Sequence, residues 1–371
     1  MRVAAAALMA VAATAQAQSS VQLYGLVDIG AGRFDDHNAT ANGALTGSFF
    51  TAPWEPRWKV EPGMMSNSFW GLRGQEPLLN GVSIEFKLEA YFLGDSGAQG
   101  RFASDSQFGR NAYLGLTSQD QGSVRMGRNI TPLFVSTQLF NPFGDSYVWS
   151  PSIRQAFNGS AGGQVRGDSS WNNSANFISP NYDGFTLSMM VAAGEGATLG
   201  SPSGTGNNYG IGGLYLRGPF AATAVWQSVE SANTAGDSQD SWQIGGSWDF
   251  GSAKLFGQFG QIDDGSISGV KDDLWSLGAS VPIGPGKLLA AYGETRYKSA
   301  GTGKRSTGSL GYNHALSKRT DLTAAAMYES VDGGSRAINS ASLLPGSVVS
   351  LPITSLGQSG TSYGVNLRHR F

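Results

Sequence analysis

GVSIEFKLEAYF, residues 81–92, decides the fold. Val82, Ile84, Phe86, Leu88, Ala90 and Phe92 fall on one side of an extended chain. Ser83, Glu85, Lys87, Glu89 and Tyr91 fall on the other. A strand sends successive side chains to opposite faces, so the segment has one apolar face and one charged face. Wound as a helix, the same residues would scatter charge all round.

Sixteen segments of this period follow one another, from 21–30 through 65–75, 82–93, 107–118 and 122–129 to 321–331 and 362–371. They are joined alternately by long connections rich in Gly, Ser, Asn and Asp and by tight ones: PLLNG, QDQG, NYDG, GP, GS, GPG and SKR. Glycine supplies the positive φ that short hairpins need, and Pro or Asn presets the turn. Short turns on one rim and long loops on the other is the layout of a closed barrel in an outer membrane. An even strand count brings both termini to the short-turn rim. Connection 131–165 has no period, and a loop of that length is usually functional.

Composition agrees. Charged residues are 14% of the 371, against about 25% in soluble domains, and glycine at 53 is about twice its usual share. A net charge of -2 gives no basic field for nucleic acid, so no nucleic-acid partner is expected. There is no cysteine, and the three histidines (His37, His314, His369) lie far apart. Neither a thiolate site nor a histidine metal site is expected, nor any cofactor. No apolar run is long enough for a transmembrane helix.

Alternation alone also fits a soluble β-sandwich, whose apolar faces would meet in a dry core. Sixteen strands with the polar face inside enclose too wide a space for side chains to fill, so the polar face would line water and the apolar face would meet lipid. Aromatic residues near strand ends (Tyr24, Trp70, Trp171, Tyr182, Trp242, Trp248, Tyr297, Phe371) suit interfacial girdles. The expected fold is all-β: a sixteen-stranded antiparallel transmembrane β-barrel. Arg2, the apolar run 3–13 and Ala15-Gln16-Ala17 read as a signal peptide over 1–17, leaving an exported barrel over 18–371.

Six stretches then resemble one family in the right order: SSVQLYGLVDIG (19–30), SFWGLRGQE (68–76), GSVRMGRN (122–129), NPFGD (141–145), SPNYDGF (179–185) and YGVNLRHRF (363–371). They resemble the general diffusion porins of Gram-negative bacteria, in the β-proteobacterial branch. The resemblance implies an outer-membrane homotrimer passing small ions and hydrophilic solutes, with loop 3 (131–165) folded into each pore as a constriction. It also implies that Phe371 and the last strand are read by the barrel-assembly machinery.

The lumen charges decide what such a channel prefers. Trp70 and Leu72 share the apolar face, which sends Phe69, Gly71 and Arg73 inward. Arg125 alternates with Val124 and Met126 and is lumenal by the same rule. Strict parity puts Arg128 outside. If the strand ends there, the resemblance favours a pore-facing role. Arg110 resembles a pore arginine that opens the fourth strand, yet Ala112, Leu114 and Leu116 share its face; if Arg110 is lumenal, those residues must lie against loop 3 or the pore wall. Arg166 loosely resembles another pore arginine. In loop 3 the turn Asn141-Pro142-Phe143-Gly144 lacks the glutamate that enterobacterial relatives carry, and Asp145 and Arg154 are the only charges of 131–165. Phe69 stands where many relatives have arginine. Glu85, Lys87 and Glu89 read as a solvated lumen wall.

Guanidinium groups with little opposing acid favour anions, so the reading is a non-catalytic diffusion channel with modest anion preference. A porin selective for phosphate or organic acids is the alternative. A barrel enzyme, which needs a Ser/His/acid set, and a soluble binding module are more distant. KSAGTGKR (298–305) is a basic patch expected on an extracellular loop; solvated charge is its simpler reading and contact with lipopolysaccharide phosphates its sharper one. Lipid of the outer membrane completes the expected surroundings.

Overall fold

The computed structural model describes residues 20–35, 56–102, 105–157, 165–194, 206–230, 237–265, 270–298, 303–333 and 358–371. The leader assigned to 1–17 lies outside them, as does part of connection 131–165. The strands are β1 (Ser20–Phe34), β2 (Arg57–Pro62), β3 (Phe69–Pro77), β4 (Val82–Tyr91), β5 (Asn111–Ser118) and β6 (Gly122–Ile130). Two short helices follow, α1 (Pro132–Leu139) and α2 (Pro151–Phe157). Then come β7 (Ser170–Ile178), β8 (Phe185–Ala192), β9 (Asn208–Arg217), β10 (Phe220–Glu230), β11 (Ser238–Asp249) and β12 (Lys254–Asp264). The last are β13 (Val270–Ile283), β14 (Gly286–Tyr297), β15 (Gly303–Ala315), β16 (Thr320–Gly333) and β17 (Gln358–Arg370).

Neighbours pair antiparallel throughout, and β1 closes the ring on β17 from Leu26↔Arg370 to Arg33↔Tyr363. The seventeen segments make sixteen staves. β1 pairs with β3 over its first half and with β2 over its second, so β2 and β3 are one stave in two pieces. The sequence pattern had placed one strand at 65–75. Instead the wall breaks between Pro62 and Phe69. Gly63 takes a φ of +68°, which glycine reaches without strain. The Asp28 carboxylate of β1 accepts the Met65 and Ser66 amides, both at 2.9 Å, in place of ladder bonds. Met64 and Met65 are thereby buried.

At the short turns, Asn80 and Gly81 both have positive φ (61° and 72°), as a two-residue hairpin turn requires. The apolar rows face out: Val21 is 62% exposed, Trp58 71%, Met126 63% and Leu277 61%. An exposed apolar surface running over many staves is a lipid-facing surface. The inward rows hold Asp28, Glu89, Gln227, Thr307, Thr323 and Glu329, all buried. Trp70, Tyr182, Trp242, Trp248 and Phe371 are exposed as a girdle requires. Three other aromatic residues expected there are not: Tyr24 is turned inward, its hydroxyl on Glu89, and Trp171 and Tyr297 are buried.

Candidate functional site

Residues 131–157 run along the lumenal faces of the far wall. Thr131 Oγ1 accepts the Phe134 amide at 3.2 Å and Pro132 starts α1, so the chain turns inward at a capped helix. Asn141 organises the turn that follows. Its Nδ2 donates to the Thr137 and Gly144 carbonyls, and its Oδ1 accepts the Phe143 amide and the Ser150 hydroxyl, all at 2.9 Å. Gly144 takes a φ of +58°. Phe143 enters a buried cluster with Phe34, Met64, Met65, Trp149 and Leu289.

The wall beneath is cut away to receive this segment. A Cβ on Gly278 would lie 2.5 Å from Pro142 Cδ, and one on Gly293 would lie 2.9 Å from Pro151 Cβ. Polar ties complete the seat. Ser152 and Ser276 share a hydrogen bond, and Gln155 bonds the Thr307 hydroxyl (3.0 Å), the Thr295 hydroxyl (3.0 Å) and the Gly293 carbonyl (3.1 Å). Arg154 donates to Glu329 at 2.7 Å, and Arg305 holds the other oxygen at 2.6 Å. Arg154 is therefore a buried anchor, not a charge offered to the lumen. Asp145 stands at the turn and accepts the Ser66 hydroxyl at 2.7 Å.

The charges of β3–β6 lie on the other side of the lumen. Arg73 donates to Gln22 Oε1 at 3.0 and 2.8 Å and lies 4.6 Å from the Tyr24 ring. Lys87 is its register partner on β4, with no carboxylate within ion-pair distance among the described residues. Arg125 pairs with Glu85 at 2.8 Å over the Tyr113 ring. Glu89 is buried and accepts the Tyr24 hydroxyl (2.5 Å), Arg110 (2.6 Å) and Asn111. Arg110 turns inward over the Phe69 ring because β5 begins only at Asn111, so parity does not bind it. The expected consequence fails: Leu114 and Leu116 are exposed on the outer face, not against the loop or the pore wall. Four cations thus face two acids on this strip.

Arg128 and Arg166 are placed elsewhere. β6 does not end at Arg128; it continues to Ile130 with a register shift between Gly127 and Asn129. Arg128 donates to the Gly109 carbonyl and Asn172 Oδ1, both at 2.7 Å, in a hollow of about 700 Å³ near the long-loop rim. Arg166 is matched by Asp264 (3.0 Å) and Asp237 (3.5 Å) at the long-loop ends of β11 and β12. The basic patch at 298–305 is matched too: Lys298 by Asp273, Lys304 by Glu294 and Arg305 by Glu329.

Sequence reasoning passed over two arginines. Arg368 donates to Asp321 (3.2 Å) and to Ser66 (2.9 Å), which itself donates to Asp145. Its alternation with Val365 and Leu367 had carried that signal. Arg101, in the connection after β4, binds Asp105, Asp168, Tyr147 and Ser169. Burial alone would raise the Asp105 carboxyl; the hydrogen bonds and charge of Arg101 outweigh it and hold the group below its ordinary value. Phe371 sits on the short-turn rim, its backbone paired with Gly25.

Comparison with known proteins agrees with this geometry. A family model described as Gram-negative porin matches residues 4–334. Outer membrane porin protein 32 of Delftia acidovorans is 30% identical over 371 residues, covering 98% of each chain. The solved anion-selective porin from Comamonas acidovorans is 27% identical, with a TM-score of 0.74 over 95% of this chain and all of that one. The in-vitro folded, trimer form of Vibrio cholerae OmpT shares the fold at 14% identity, with a TM-score of 0.63 over 95% of this chain and 99% of that one. A ring of staves, apolar outside and charged within, agrees with the family match: the chain belongs to the Gram-negative porins, and it is an outer-membrane diffusion channel.

Proposed function

We propose that this channel favours anions, and that the strip on β3–β6 supplies the preference. Arg73, Lys87, Arg110 and Arg125 exceed Glu85 and Glu89 by two charges, and that excess is the observation that carries the reading. The loop turn opposite bears one carboxylate, Asp145, which accepts the Ser66 hydroxyl and keeps its charge, so the cations still exceed the acids by one. A unit charge acts at 4 Å in water with about 1 kcal/mol, and salt screens it over roughly 10 Å. One uncompensated cation beside the path therefore biases small ions by several-fold, not absolutely. The anion-selective character of the Comamonas acidovorans relative supports this.

Segment 131–165 would form the narrow part, with Arg73, Arg110 and Arg125 on its wall. Arg128 and Arg166 would act on solutes entering from the long-loop rim. The homotrimer, cleavage after residue 17 and reading of Phe371 by the assembly machinery belong to the same proposal. Planar-bilayer recording in a salt gradient tests the preference. The reversal potential is expected on the anion side, and a cation-side value refutes it.

A further inference from the structure

We propose a second anion subsite on the short-turn side of the loop turn, built by Lys254, Lys287 and Arg368 and suited to small polycarboxylates. It rests on the reading of the lumen as an anion path and adds a station at which one class of solute pauses. The three residues line a hollow of about 330 Å³ whose wall includes Met65 and Pro142 of the broken stave and the loop turn. That volume lies at the small end of ligand sites. Parity sends all three side chains inward: Leu255 and Leu367 are exposed on the outer face, and Leu289, two residues from Lys287, is buried on the inner one.

What singles the hollow out is an excess of cations: Lys254, Lys287 and Arg368 line it against one carboxylate, Asp249. Among the described residues neither Lys254 nor Lys287 has a carboxylate within 4 Å; Lys254 Nζ has only the Phe256 ring, 5.2 Å from its centroid. The nearest acids have other partners. Asp249, the register partner of Lys254, also lines the hollow and keeps its charge, but it is turned to cap the Gly251 amide at 2.8 Å. Asp321 is shared by Arg368, Arg370 and Asn313. Arg368 spends its donors on Asp321 and Ser66, so it adds field while the two ammonium groups remain free to bind. Lysine is a compact charge on a flexible stem and can close on carboxylates of varied spacing. Two such groups favour a di- or trianion over chloride, because each added charge on the ligand gains its own attraction. None of these residues belongs to the strip on β3–β6, so a solute that clears the loop turn meets a separate cluster.

The test is block of the chloride current through the full-length channel by citrate, with acetate as the single-carboxylate control. Citrate is added to each side in turn. Wild type should show transient closures at citrate concentrations where acetate has no effect, stronger when citrate enters from the short-turn side. K254Q/K287Q should need about tenfold more citrate for half block, with its reversal potential still on the anion side. Equal block of wild type and K254Q/K287Q overturns the subsite while leaving the anion preference standing. So does a wild type that citrate and acetate affect alike. Failure of the preference itself would appear separately, as a cation-side reversal potential in wild type without citrate.

Discussion

Glu329→Gln should loosen the seating of the loop. The Glu329 carboxylate is fully buried on β16 between the guanidinium groups of Arg154 on α2 and Arg305 on β15. The amide keeps the shape and removes the charge, leaving two buried cations on one neutral acceptor. Removing one partner of a buried pair costs about 3–5 kcal/mol, chiefly because the other charge is stranded. Only α2 can relieve this: if it lifts away, Arg154 regains water in the lumen while Arg305 stays in the wall. About half of the penalty then favours departure, roughly 2 kcal/mol, or about thirtyfold on the ratio of seated to lifted loop. Gln155 and Ser152 still hold α2, so the loop remains seated most of the time. Single-channel recordings should accordingly gain open-state noise and brief steps of altered conductance. Replacing Arg154, Glu329 and Arg305 together by Met, Leu and Met strands no charge and should restore quiet traces. Recordings of Glu329→Gln indistinguishable from wild type, with unchanged thermal unfolding, would refute the anchor.

The glycine seat gives a second expectation. Gly278→Val puts carbon 2.5 Å from Pro142 where contact needs about 3.5–4.0 Å, so the turn must withdraw by about 1 Å and conductance should rise. Gly257→Val, whose Cβ meets nothing nearer than Leu277 at 3.4 Å, should leave conductance alone. On the strip, Arg73→Ala should move the reversal potential toward cations. Arg125→Ala with Glu85→Gln removes a matched pair and should move it little; equal shifts in the two would dissolve the distinction between free and paired cations. At the long-loop rim, the Arg101 tie contributes stability above the ordinary aspartate range, because Asp105 is held lower in the fold than when unfolded. Amide protection around 93–102 should therefore be lost as pH falls below about 4, and Arg101→Leu should lose it at neutral pH; protection unchanged in Arg101→Leu would remove the tie.

Much of the barrel is legible because lipid imposes it. Each stave must present an apolar row outward, and a period of two records that demand residue by residue, as in 81–92. Parity likewise sends Arg73 and Arg125 to water. Its reach ends wherever the ladder does. Arg110 escapes it by one position, since β5 starts at Asn111. Trp171 is buried beside Asp168 and Asn173, whose φ values of 60° and 48° interrupt regular alternation. RWKVEP (57–62) does alternate, yet it is short, and the break after it depends on a carboxylate from another strand, Asp28. Partnership is the less legible property. Arg154 looks like a free loop charge, and its acid lies 175 residues away. Face is written locally, whereas height along the barrel, which decides whether two lumenal charges meet, is set by the register summed over every stave between them. That is why the face a charge takes can be anticipated from sequence and its pairing cannot. The same summed register leaves Lys254 and Lys287 facing one hollow with Asp249 as its one acid and no carboxylate within 4 Å of either among the described residues, although each reads in isolation as an ordinary strand-end lysine.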